Sequence, residues 1–394
     1  MIASVHARDP GPRLLPGPAH FIVTEDPAYA PCGSGEHIFL HIEKEGLTTD
    51  AVAQALAKAF QLKNHSVGYA GRKDRHAITR QWFSLHTPSA EAGLAALPEC
   101  LPPSGRCTIL EVNKHKNKLR LGHLAGNRFQ LGLAGITADE VTTRAMALQR
   151  DGLSNRFGAQ RFGHGGATLA LARAWAVSDF DHVARLVVDN DRGWQVGEPI
   201  PPGFRSGPEG KFVGALRRGL PAAKALRAGG ETLRQLIASA AQSAVFNAIV
   251  DARIAHGLLH TPRVGELAAI RSGAFFAVTA EDHADVLRRA QPGCLEVVAT
   301  APLPGASCRH GSPESLAEEQ AWSAATEVDW QWFDRGTPLE SPGERRPVVV
   351  VLRDTPHVRA EADHVVLDLA LPAGAYATEA LQQMGIAIPQ DRRG

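Results

Sequence analysis

No two cysteines in this chain of 394 residues have the CxxC spacing, and the five present, Cys32, Cys100, Cys107, Cys294 and Cys308, are odd in number and scattered. That argues against a disulfide framework or a structural zinc and fits a reducing compartment. Cys308 and His310 lie close together, but two ligand types in one loop do not make a metal site. Long apolar runs are also missing. The longest aliphatic run, Val348 to Leu352, is far shorter than the roughly 20 residues a membrane span needs. The N-terminal stretch lacks the apolar centre of a signal peptide, so the expectation is a soluble cytoplasmic protein. Charge of one sign is not in excess either. Lys and Arg number 42 against 41 Asp and Glu, for a formal net charge of +1. Nucleic-acid binders commonly carry a basic balance, so any RNA site here must be a local patch. There are no internal repeats. No GxGxxG or P-loop lysine–serine pattern accompanies the glycines, which weakens a nucleotide-phosphate reading.

What is present suffices for a real core. Hydrophobic residues make up 44% and charged residues 21%, so global disorder is not expected. The length suggests two domains, or one domain with a large insertion. The stretch that organises the chain is Val67-Gly68-Tyr69-Ala70-Gly71-Arg72-Lys73-Asp74-Arg75-His76-Ala77. It holds a single carboxylate among four basic side chains, and its glycines permit tight turns. An aspartate, with an ordinary pKa of about 3.9, is ionised near neutral pH. That suits a nucleophile or base rather than a proton donor. Spacing alone favours an exposed turn with a solvated charge cluster.

The remaining chain shows strands at both ends and helices between. Phe21 to Val23 and His37 to Ile42 read as strands, and Thr48-Thr49-Asp50 caps a helix running to about Leu62. Val67 begins a short strand, and Gln81 to Leu85 is another. Thr108 to Val112, Lys118 to Leu121 and Arg128 to Leu133 read as consecutive strands. From residue 112 to residue 138 there is no acidic side chain, while Lys114, Lys116, Lys118, Arg120 and Arg128 supply five cations. This asymmetry marks an RNA-backbone surface or an ordinary solvated strand face. Thr137 to Glu140 is a capping box for a helix ending at Gly152. Residues 167–177 and 231–256 have helical periodicity, and Gly197 to Gly210 reads as a mobile Pro/Gly loop. Strand character returns at Val348 to Leu352 and His364 to Leu371. Residues 1–20 look like a loose lead-in.

The string GYAGRKDRHAITRQWFSL resembles the signature of the TruD family of tRNA pseudouridine synthases. Three further blocks resemble the family in order. They are Lys118-Leu119-Arg120-Leu121-Gly122 to Gly126-Asn127-Arg128-Phe129, then Asn155-Arg156-Phe157-Gly158-Ala159-Gln160-Arg161-Phe162-Gly163, then Leu371-Pro372-Ala373-Gly374-Ala375-Tyr376-Ala377-Thr378. The resemblance implies an α+β fold: a pseudouridine synthase core whose mixed, mostly antiparallel sheet is flanked by helices and interrupted by a largely helical TruD-type insertion domain. Residues 1–152 and 345–394 would form the catalytic domain and 153–344 the insertion. It implies isomerisation of uridine to pseudouridine, at uridine-13 in the D arm of tRNA, on a flipped-out nucleotide. Asp74 matches the family's indispensable aspartate and nucleophile. Phe129 matches its stacking position, where core packing competes because Leu131 and Leu133 continue the same face. Asn127 and Lys73 are expected at the substrate. Arg72, Arg75, Lys114, Lys116, Lys118, Arg120 and Arg161 are expected at the RNA backbone. The reaction needs no redox step and no external phosphate, so no cofactor and no metal are expected, and tRNA is the expected partner, with no membrane and no protein partner predicted. One departure stands out. The family's lysine before a P-E-D-F segment has no counterpart in Leu15-Pro16-Gly17-Pro18-Ala19-His20-Phe21, where Arg13 or Arg72 are candidate replacements. That departure supports an alternative, an RNA-binding or RNA-folding factor of the same fold with little catalysis.

Overall fold

Alternation dictates the first half of the chain. In His37–Glu45 the residues Ile38, Leu40 and Ile42 are buried while their neighbours face the other way. The computed structural model describes residues 11–87, 89–163, 166–190, 192–200, 207–271 and 273–389. The chain divides into two units, one running up to Leu153 and resuming at Val351, the other Ser154–Val350.

The first unit contains β1 (Arg13–Leu14), β2 (Phe21–Pro27), β3 (His37–Glu45), α1 (Thr49–Ala59), β4 (Gly68–Tyr69), β5 (Ile78–His86), α2 (Glu91–Cys100), β6 (Arg106–His115), β7 (Leu124–Ala134) and α3 (Ala138–Asp151). The chain leaves through β8 (Leu153–Ser154). The second unit holds α4 (Ala167–Ala176), α5 (Phe180–Asp189), α6 (Gly207–Arg217), α7 (Ala222–Ala255), β9 (Leu267–Ile270), β10 (Phe275–Ala277), α8 (His283–Ala290), β11 (Val297–Leu303), α9 (Pro313–Ser323) and β12 (Glu344–Pro347). After β13 (Val349–Val350), the first unit resumes with β14 (His357–Ala360), β15 (Val365–Pro372) and α10 (Ala377–Gln383).

The first unit's sheet has nine strands in the order β14-β15-β7-β2-β5-β3-β6, with β1 added to β7 and β4 to β5. Of the pairings between described strands, β2 with β5 is parallel and the others are antiparallel. The sheet is therefore mixed and mostly antiparallel, as expected. Helices α1 and α2 cover one end of one face: Val52, Leu56 and Leu97 cluster with Ile38, Leu40, Ile42, Phe83 and Leu85. Thr48 caps α1 by accepting from the Ala51 amide at 3.1 Å, and the Thr137–Glu140 capping box opens α3. At the β6 edge, Leu110 is the extra residue of a bulge between the His41–Glu111 and Ile42–Ile109 pairs, which leaves it 45% exposed.

The second unit packs its helices with a four-stranded sheet, β10-β9-β11-β12. Two of its ion pairs are buried: Arg253 with Glu266 and Arg345 with Glu319. Among the described residues no helix is long and apolar enough to cross a membrane.

Some elements differ from their sequence reading. Lys118 to Leu121 is an irregular turn rather than a strand, because the Leu119 amide donates to the Ser84 hydroxyl and Gly122 takes φ +89°. The lead-in is ordered in part: β1 pairs with β7. The loop at Gly197 to Gly210 includes 201–206, outside the described residues, and α6 begins within its predicted span at Gly207. Helix α7 begins at Ala222, well before the periodicity at 231.

Candidate active site

The loop carrying Asp74 is tied down mainly by the turn between β3 and α1, the first turn of α1, and β5. Its approach strand β4 pairs with β5, Gly68 opposite Ser84. A side-chain carbon at Gly68 would collide with the Leu119 carbonyl, so only glycine fits there. The Tyr69 hydroxyl donates to Asp50 at 2.6 Å, and Arg72 donates to the other oxygen of Asp50 at 3.2 Å. The Lys73 amide donates to the Thr49 hydroxyl at 2.9 Å, which donates to Gln81 at 2.9 Å, and Gln81 returns a bond to the Gly71 carbonyl at 3.0 Å. Arg75 reaches the Gly46 carbonyl at 3.0 Å. Lys44 closes the set, its ammonium donating to the Leu47 carbonyl at 2.7 Å and the Asp74 carbonyl at 2.9 Å.

Asp74 itself is half-buried. Its Oδ1 accepts from the His76 amide at 2.8 Å, an Asx turn that fixes the carboxylate's direction. The loop thus presents an oriented acid on a rigid base, the usual way a scaffold displays a reactive group.

Beside the loop, the sheet face that elsewhere carries aliphatic residues turns polar. Register places Lys44 beside Thr79, Ile42 beside Gln81, and Glu25 beside Asn127. Glu25 is 3% exposed and Lys44 1%. The Lys73 ammonium pairs with Glu25 at 2.7 Å. Burial raises the Glu25 carboxyl above its ordinary range, against the opposing pull of Lys73. Asn127 Oδ1 is buried with no hydrogen-bond partner among the described residues. Such a vacancy costs about 1–3 kcal/mol and asks for a functional explanation.

Several expected site residues are placed differently from their sequence reading. Lys73, expected at the substrate, is turned inward onto Glu25, because that buried carboxylate requires a counter-ion. Phe129 lies in mid-strand, between Val23 and Leu369, not at an open strand end. It is 7% exposed and meets Phe21 edge to face at 6.1 Å. Lys118 donates to the His65 carbonyl. Arg161, expected at an RNA backbone, donates to Ser239 and Ser243 of α7 and covers the Phe157 ring. Its block is clamped by Asn247, which bonds both the amide and the carbonyl of Phe157. Lys114, Lys116 and Arg120 are exposed, as are Arg72 and Arg75. The turn holding Arg120 is joined to the signature strand, the Gly122 amide donating to the Ala70 carbonyl at 2.8 Å. Among the described residues no group of three or more His, Cys, Asp or Glu side chains could hold a metal.

Two groups that the sequence reading passed over are Glu25 and Lys44. Each continues an inward alternation, Phe21-Val23-Glu25 and Ile38-Leu40-Ile42-Lys44, and that is the signal that could have found them.

This fold matches that of a solved chain from Methanosarcina mazei assigned as tRNA pseudouridine synthase D, with a TM-score of 0.67 over 95% of this chain and 93% of that one, at 21% identity. The class is therefore the pseudouridine synthase fold of that chain. The chain belongs to the TruD family, since the model for tRNA pseudouridine synthase D (TruD) matches residues 5–192 and 184–384. Relatives named tRNA pseudouridine synthase D are 38% identical in Geobacter metallireducens, over 92% of each chain, and 33% identical in Syntrophotalea carbinolica, over 93% of this chain and 94% of that one.

Proposed function

We propose that this protein isomerises uridine to pseudouridine in tRNA, at uridine-13 of the D arm, with Asp74 as the reacting carboxylate. The observation that carries this reading is the placement of Asp74. It is the signature aspartate, half-buried, with one oxygen fixed by the His76 amide and its main chain pinned by Lys44. Attack on the sugar, attack on the base, and proton removal to give a glycal all require the same ionised oxygen pair. A helical uridine hides the reacting bond, so the nucleotide must leave the stack at a cost of a few kcal/mol. Asn127 offers the extruded base a hydrogen-bonding edge. Phe129 serves as the stacking platform, and stacking returns about 1–3 kcal/mol. Lys114 at the end of β6 and Lys116 and Arg120 in the turn tied to Ala70 grip the strand, with Arg72 and Arg75 on the signature loop itself. Ser154–Val350 is read as the family's insertion.

Purified protein and unmodified tRNA test this. Pseudouridine should form without added cofactor. Asp74→Asn should lower the rate by at least about 1000-fold while tRNA affinity stays within a few-fold. Retained activity in that variant removes Asp74 from the role. The second reading, an RNA-folding factor with little catalysis, requires wild-type protein that binds tRNA and leaves its uridines unchanged.

A further inference from the structure

Lys44 is a lysine where the sheet's pattern calls for an aliphatic residue. It is 1% exposed, and two of its three ammonium protons are bound, one by the Leu47 carbonyl at 2.7 Å and one by the carbonyl of Asp74 at 2.9 Å. A buried ammonium is costly, and a neutral donor could bridge two carbonyls more cheaply. The retained charge therefore calls for a role. From its geometry we infer that Lys44 is the positioning residue of this site: it fixes the Asp74 main chain from beneath and supplies the positive charge that keeps the reacting carboxylate aimed. The inference rests on Asp74 being the reacting group.

The surroundings of Lys44 support it. Its neighbours in register are Thr79 on β5 and Cys107 on β6. The charged or titratable groups facing it are Asp74 and Lys73 from the signature loop and Cys107 from the edge strand. Burial lowers Lys44 to about 8, with Asp74 pulling upward and Lys73 pressing further down. Burial lifts the Cys107 thiol to about 11, so it stays neutral and does not quench the ammonium. Arg72 and Arg75, though on the same loop, are engaged at Asp50 and Gly46. Lys73 faces Glu25.

The consequence is a pH limb that unfolding does not explain. As pH rises from 8 to 9, Lys44 loses its proton in the folded chain while an unfolded lysine keeps it until about 10.4. The unfolded state then binds more protons, so this group makes folding more favourable with rising pH. Activity should move the opposite way.

The test is single-turnover pseudouridine formation at saturating tRNA from pH 6.5 to 9.5, with thermal melts at each pH, for wild type, Lys44→Arg and Lys44→Met. From a value of about 8, the wild-type rate should drop about tenfold between pH 7 and pH 9 without loss of melting temperature. Lys44→Arg keeps its charge, so it should lack that limb. Lys44→Met should lose at least about 100-fold in rate at pH 7, as expected for a misplaced reacting group, with tRNA affinity within threefold. A flat wild-type profile, a limb shared by wild type and Lys44→Arg, or a Lys44→Met rate near wild type each overturns the inference while leaving Asp74 in place. Should Lys44→Met fail to fold, the comparison of wild type with Lys44→Arg decides. Wild type that forms no pseudouridine at any pH overturns the activity, and this role with it.

Discussion

Glu25 and Lys73 meet at 2.7 Å with side chains 0% and 5% exposed. Removing one member of such a pair strands the other, and the two deletions are not equivalent. Glu25→Gln leaves an ammonium in the interior and should cost about 3–5 kcal/mol. Lys73→Met leaves a carboxyl that already sits above its ordinary range and can take up a proton. A carboxyl raised in the folded state binds protons there that the unfolded chain has released, so its contribution falls as pH climbs above about 4.3. Lys73→Met should therefore be least harmful near pH 5 and most harmful at pH 7 and above. Urea unfolding of both variants at the two pH values checks this, and a Lys73→Met cost that grows on acidification contradicts it. The sequence pointed to Asp74 and Asn127 because the blocks that resemble the family contain them. It hid Glu25 and Lys44, since each lies in an aliphatic alternation where charge is read as solvent-facing. The register that sets Glu25 beside Asn127 joins them into one polar row.

Among the elements, the turn from Lys116 to His123 depended most on tertiary context. Its lysines and leucines alternate like a strand, yet the hydrogen bonds from Leu119 to Ser84 and from Gly122 to Ala70 bend it over β4. Gly68 lets it approach so closely. Gly68→Ala should push the turn away, costing about 1–3 kcal/mol by overpacking, and should reduce tRNA affinity along with stability. Thermal melts and filter binding read the two effects, and unchanged affinity would detach the basic turn from RNA binding. Local chemistry was reliable where it is self-contained. The Thr137–Glu140 box is formed as written, and Thr137→Ala should lower stability by about 1 kcal/mol in a melt. Boundaries slipped where packing decides, as in α7, which starts at Ala222.

At the scale of the whole molecule, a net charge of +1 requires that RNA affinity come from local patches. Lys118 is held by the His65 carbonyl, so the exposed set is Lys114, Lys116 and Arg120. Changing these three to Ala should flatten the slope of log affinity against log salt by about two to three units. An unchanged slope would place the RNA elsewhere. The mixed, mostly antiparallel sheet was legible through the ordered family blocks, but the strand order, with β2 lying between β7 and β5, was not, because periodicity carries no information about neighbours. The measurement that bears most directly on the account is nucleotide-resolution mapping of pseudouridine in unmodified tRNA incubated with wild type or with Asp74→Asn. One new pseudouridine in the D arm, at position 13, is expected with wild type and none with the variant. Equal modification by both proteins, or none by wild type, contradicts it.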